Sequence, residues 1–237
     1  MIVSAPEYIH GNGFIAEIIR TSRRKTATIK VDDRVVSIVV PQDLPKQRIT
    51  QLLKDKNRWI KDKIAIQKNI APTTEKQFIS GEAFAYLGRN YRLKVKRGKF
   101  TPVKLVQGQL VATLPEGPDK PHMVRNSLVR WYHTQAEPKL IEKTERYAKT
   151  IGVKPSSIGI KTYKARWGSC NSKGQIDYNW KLVMAPNWVV DYVVVHELCH
   201  LKHFNHSKDY WTQVTHYCDR AYEAKKWLKE NAAQFNL

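Results

Sequence analysis

WVVDYVVVHELCHLKHFNHSKDYW, residues 188–211, decides how the rest of the chain is read. Its apolar run before His196 predicts a buried helix, and that helix carries H-E-x-x-H as His196, Glu197 and His200. Helical residues four apart stack on one face, so both imidazoles aim at one point where Zn²⁺ can sit. Zinc takes imidazole nitrogens and, in catalytic sites, keeps one coordination position open. Glu197 falls on the flank of the same face, where a carboxylate can take a proton from an attacking water. Two residues compete for the third ligand position. His203 shares the face of His196 but lies a turn beyond the expected metal position. His206 is reached only if the helix stops near Phe204 and the chain folds back, with Asn205 as a left-handed hinge. Ser207 then reads as the cap of a new helix with Asp209 in its first turn.

The chain has 237 residues, 42% of them apolar, enough for one large domain or two small ones with real cores. No apolar run reaches the ~18 residues of a membrane span, and residues 1–10 do not read as a secretory signal. Cys170, Cys199 and Cys218 form no C-x-x-C pair, which suits a reducing compartment, so a cytoplasmic location is expected. Cys199, offset from the two histidines around the helix, reads as a small packing residue. The net charge is +20 and is spread over both halves: 23 Lys/Arg against 11 Asp/Glu in residues 1–120, and 18 against 10 in residues 121–237. Such a field attracts polyanions, nucleic acid among them.

Toward the N-terminus the pattern changes. Phe14, Ala16 and Ile18, then Ala27, Ile29 and Val31, then Val36, Ile38 and Val40 alternate as in three strands. Arg23, Arg24 and Lys25 fall at a loop tip, and Asp32-Asp33 at a turn. One helix is expected over residues 46–69, with Ile49, Leu52, Leu53, Ile60 and Ile64 inward and Lys54, Arg58, Lys61 and Lys68 solvated. Residues 77–114 return to strands around Gly88-Arg89-Asn90 and Gly108. Among them, Arg92, Lys94, Lys96, Arg97 and Lys99 form a basic strand, read either as a nucleic-acid stripe beside Tyr91 and Phe100 or as an edge guarded by lysines. P-E-G-P-D-K-P at 115–121 is the expected domain break, giving 1–116 and 117–237. Beyond it come a helix over 123–150, kinked at Pro138, a strand at 158–163, a turn at 171–174 and a second strand at 175–184.

The order helix, strand, R-W-G-S-C at 166–170, turn, strand, then the histidine segment resembles the YgjP-like metallopeptidases, relatives of the SprT-like zincins. Y-L-G-R-N-Y-R-L at 86–93 and S-R-R-K at 22–25 extend the likeness more weakly into the N-terminal half. The resemblance implies zinc on His196, His200 and His206, with Glu197 as general base. It also implies an α+β fold: a β-rich N-terminal part with one helix, then a small zincin-like domain with the metal helix packed on a twisted sheet. The strand at 175–181 is expected to pair with an extended substrate. Metzincins share the histidine spacing but place Gly where this chain has His203, and need a methionine downstream of His206, where this chain has none. A distant Glu as third ligand would have to be Glu223 or Glu230.

The leading expectation is therefore a zinc-dependent hydrolase, a metallopeptidase acting on peptide. Arg166 and Tyr163 are candidates to stabilise the oxyanion, Tyr163 and Asn179 to bind substrate, and Asn179 or Asp209 to hold the outer nitrogen of a ligand histidine. A second expectation keeps the site and changes the substrate to a nucleoside triphosphate, cleaved as a pyrophosphatase. It rests on the basic charge and on activities linked to relatives of that family. The third is a nucleic-acid-binding adaptor with structural zinc, which the want of a fourth protein ligand disfavours.

Overall fold

The computed structural model describes residues 7–22, 26–32, 35–69, 75–118, 120–235 and 237. The basic triplet 23–25 and Asp33 lie outside the described residues. The chain divides into two compact units, Met1–Pro72 and Thr73–Leu237.

The first unit holds strands β1 (Glu7–Gly11), β2 (Phe14–Thr21), β3 (Thr28–Asp32) and β4 (Val35–Pro41), with helices α1 (Lys46–Asp55) and α2 (Asn57–Asn69). The sheet order is β1-β2-β4-β3, with β2 and β4 parallel. Alternation along β2 and β4 turns Ala16, Ile18, Val36, Ile38 and Val40 inward onto Ile49, Leu53 and Ile60 of the helices. The single helix expected over 46–69 is two, interrupted at Lys56, whose amide still bonds to Leu52 O while Ile60 N bonds to Lys56 O.

The second unit begins with β5 (Ala83–Tyr86), β6 (Arg89–Arg97), β7 (Thr101–Val106) and β8 (Gln109–Leu114), ordered β5-β6-β8-β7. Two of its hairpins turn on a pair of positive-φ residues, Leu87-Gly88 and Gln107-Gly108, the backbone that suits the twist of the flanking strands. Then come α3 (Pro121–Ile151), β9 (Ser157–Lys161), β10 (Gly168–Cys170), β11 (Gln175–Asn179), a 3-10 helix (Trp180–Met184), α4 (Asn187–Cys199), α5 (Lys208–Tyr217) and α6 (Ala221–Asn231). The 3-10 helix takes residues expected to prolong the strand. Pro138 sits inside α3 without ending it.

The boundary expected at 115–121 is instead a link inside this second unit. Phe84, Leu93 and Leu110 share one buried cluster with Leu128 of α3 and Val194 of α4. Tyr132 donates its hydroxyl to Ala85 O at 2.7 Å, and Leu87 N bonds to Val183 O at 2.8 Å. A run of prolines marked a turn in the chain, but burial crosses it.

α4 packs against α3, α5, α6 and β10. Its buried side chains are rich in valine, with Val189, Val190, Val194 and Val195 fully buried beside Leu198 and Cys199. One polar tie crosses from α3: Lys143 Nζ, on a buried residue, meets Asp191 Oδ1 at 2.7 Å, with Arg146 Nη2 at 3.2 Å from the same oxygen. Removing one partner of such a pair strands the other charge away from water. Asp191→Ala is therefore expected to lower unfolding stability by about 3 kcal/mol in a urea titration, and Asp191→Asn by less.

Candidate metal centre

α4 ends at Cys199 and His200 is its cap, four residues before the expected stop at Phe204. The amides of Leu201, Lys202 and His203 bond back to Leu198 O and Cys199 O, tightening the last turn. No residue between 200 and 207 has positive φ, so Asn205 is not a left-handed hinge. The reversal comes from the tight turn itself and from Ser207, whose side chain accepts Tyr210 N and starts α5.

That reversal brings His206 back to the helix. One nitrogen from each of His196, His200 and His206 lies within 4.8 Å of the other two. The Nε2 atoms of His196 and His206 are 3.4 Å apart, long for a hydrogen bond. It matches the edge of a tetrahedron with metal–nitrogen bonds of ~2.0–2.1 Å, which is roughly 3.3–3.4 Å. His200 Nδ1 lies 2.9 Å from His203 O. Donation there puts the proton on Nδ1 and leaves Nε2 a free lone pair. His203 thus faces the site through its carbonyl, and its ring is not part of the three-nitrogen group.

At His196 and His206 the electrostatics favour the uncharged ring, the form that binds metal. Burial, with His200, His206 and Lys225 nearby, pushes His196 down to about 3. Burial, His200 and Lys225 also lower His206. Glu197 is 5% exposed, and burial raises its carboxyl to about 8 against the opposing pull of Arg166. The three histidines and the neighbouring carboxylate therefore fit a divalent ion of the zinc type.

Several residues that the sequence reading passed over build the walls. Gly168 lies directly against Glu197: a Cβ there would sit 2.6 Å from Oε1 and 2.7 Å from Cγ. The glycine of R-W-G-S-C therefore makes the space the carboxylate occupies. Tyr210, fully buried, stacks on His200 at 4.7 Å and donates to His196 O at 3.2 Å, fastening α5 to α4. Trp211 stacks on His206 at 6.0 Å and carries Lys225 Nζ 4.4 Å from its ring centre. Spacing along α4 could not reveal these, because Lys225 arrives from α6.

The remaining expected residues sort differently. Arg166 is exposed, close enough to act on the Glu197 charge, with its guanidinium 5.4 Å from the Tyr163 ring. Tyr163 OH and Ser169 Oγ share a hydrogen bond of 2.9 Å. Asn179 does not hold a histidine. Its amide donates to Tyr163 O and Arg166 O, and its Oδ1 accepts Lys181 N, so it anchors the loop that carries them. Asp209 is exposed on α5 and makes no hydrogen bond to the site histidines among the described residues. Cys199 is fully buried, and burial pushes its thiol up to about 12, in keeping with a packing role. β11 is the central strand of the order β10-β11-β9, with both sides paired, so it offers no edge to a substrate. β10 is the edge on the Glu197 side.

No described helix is long and apolar enough to cross a membrane. No curated protein matches the chain. Among solved structures, the metallopeptidase zymogen of Pyrococcus abyssi abylysin aligns with TM-score 0.34 and 22% identity, over 37% of this chain and 89% of that one. The family profile described as YgjP-like, metallopeptidase domain, spans residues 25–231 and so takes in both units. With its histidine triad and glycine-backed glutamate inside that span, the chain belongs to the YgjP-like metallopeptidases.

Proposed function

We propose that this protein is a zinc-dependent peptidase in which His196, His200 and His206 hold the ion and Glu197 is the general base. The observation that carries the reading is the convergence of three imidazole nitrogens within 4.8 Å beside a buried carboxylate. Three protein donors leave a position open, which a purely structural zinc would close. This counts against the adaptor reading. In the same reading, α4 with β10 and its sheet is a zincin-like core.

A bound zinc ion would polarise the scissile carbonyl and acidify a water molecule. Glu197, held against Gly168, takes the proton from the attacking water and passes it to the departing nitrogen. Burial lifts its basicity toward the working pH, the adjustment a general base needs. Arg166 supplies a positive donor for the oxyanion that forms as the carbonyl is attacked. Tyr163 lies under the guanidinium and steadies it. The open edge of β10 presents backbone groups with which an extended peptide can pair next to Glu197. Arg166 and Lys225 on either flank also suit an anionic substrate, which keeps nucleoside triphosphate cleavage as the second reading.

Glu197→Gln is expected to bind zinc as the wild type does and to lose peptide hydrolysis by roughly 10²–10⁴-fold. Casein cleavage and release of pyrophosphate from nucleoside triphosphates, measured side by side, separate the two substrates. Full peptidase activity in the Gln variant would sink the mechanism. Gly168→Ala pushes on the same carboxylate, so turnover should fall while zinc affinity stays.

The two candidate third histidines are separated by metal affinity. His206→Ala is expected to weaken zinc binding by about 100-fold or more, beyond the range of outer-shell changes. His203→Ala, which keeps the carbonyl that holds His200, should change it by less than about tenfold. A competitive chelator titration reads both.

A further inference from the structure

The β5–β8 sheet of the second unit has two unlike faces. One packs Phe84, Leu93, Val103, Leu110, Ala112 and Leu114 into the cluster shared with α3. The other is open. Between Glu82 and Glu116 the chain has seven Lys/Arg and no Asp/Glu. Glu82 itself is turned to the amides of Gln77 and Phe78.

Strand alternation sorts these cations. On β6, Leu93 is buried while Arg92, Lys94 and Lys96 are exposed. Pairing sets Lys94 opposite Val111, and Val111 opposite Lys104, so the two lysines lie in one row across β8. Arg92 shares a row with Gln109 and Val106, and Lys96 shares one with Thr113 and Thr101. Rows on one face recur every ~6.7 Å and strands every ~4.8 Å. The cations therefore form a line with one neighbour to the side. Phe100, 44% exposed, lies between β6 and β7.

Edge protection does not account for this arrangement. Lysines guard a sheet where its strand has an unpaired side. β6, which carries Arg92, Lys94 and Lys96, is an inner strand bonded to β5 and to β8; of these cations Lys104 alone lies on an edge strand, β7. Like charges on neighbouring positions of a sheet repel, so their clustering costs stability and adds nothing to packing. What it fits is a partner with negative charge repeating along a line. The repeat of ~6.7 Å is comparable to that of phosphates along an extended nucleic-acid strand. A flat face has no helix or ribbon to enter a duplex groove, whereas Phe100 offers a ring on which an unpaired base can stack.

We propose that this sheet face binds the backbone of single-stranded nucleic acid, with Lys94, Lys96 and Lys104 on the phosphates and Arg92, whose guanidinium donates to Gly81 O at 2.7 Å, beside them. The proposal needs no metal and is independent of hydrolysis. Fluorescence anisotropy of a labelled oligothymidylate with the full-length protein, over a series of salt concentrations, tests it. Affinity is expected to fall as salt rises. The pair Lys94→Ser and Lys104→Ser should weaken binding by about tenfold or more and reduce the log–log salt slope by ~0.7 for each lysine removed. Both side chains are exposed, so the fold is retained, which circular dichroism checks. The pair Lys54→Ser and Arg58→Ser on the first unit should leave binding unchanged. The proposal fails if the oligonucleotide does not bind, or if the sheet variant binds like wild type. It fails equally if duplex binds better than single strand, or if polyglutamate displaces the oligonucleotide as well as unlabelled oligonucleotide does.

Discussion

Three imidazoles face one another at the end of α4, with one nitrogen of each within 4.8 Å of the other two, and the second unit packs around that cluster. Rings at such distances would repel if protonated. Burial and their mutual proximity, with Lys225 adding to both effects, keep His196 and His206 neutral. Neutral rings each keep a nitrogen lone pair, and nitrogens gathered this closely suit a divalent ion. Everything that positions those rings serves this constraint: the valine-rich face of α4, the Lys143–Asp191 tie to α3, and Tyr210 wedged between α5 and α4.

The carboxylate belongs to the same construction from the other side. Glu197 is buried where water cannot solvate its charge, and the nearest relief is Arg166. Its position is set by an absence of side chain, since Gly168 leaves room for it on β10. Asn179 in turn fixes the Tyr163–Arg166 loop through two backbone carbonyls. A strand, a loop and a helix thus meet at one carboxylate. Change in any of them is felt there, because a packed interior cannot adjust by fractions of an ångström without cost.

The basic sheet face shows a different economy. The inner face of β5–β8 is spent on the core, so its outer face is free to carry charge that folding does not require. Its place in the same unit as the histidine cluster, and not beyond a domain break, follows from burial across residues 115–121.

Much of the site was legible in the residues alone. Spacing of 3.6 residues per turn puts His196 and His200 on one face whatever surrounds them, and Ser207 caps α5 by chemistry local to a few residues. Most of the strands followed from alternation in the same way, but β1 and the three-residue β10 did not. The sequence by itself therefore determined a helix over the H-E-x-x-H segment and the placing of His196, His200 and Glu197 along it, because those depend on local periodicity. Only the tertiary structure decided the rest: that His206 and not His203 joins them, that β10 and not β11 is the edge, that Gly168 backs the glutamate, that Lys225 comes in from α6, and that the compact units part after Pro72. Each of these is a contact between segments distant in the chain, settled by how apolar surfaces are buried and hydrogen bonds closed across elements, which no local pattern encodes.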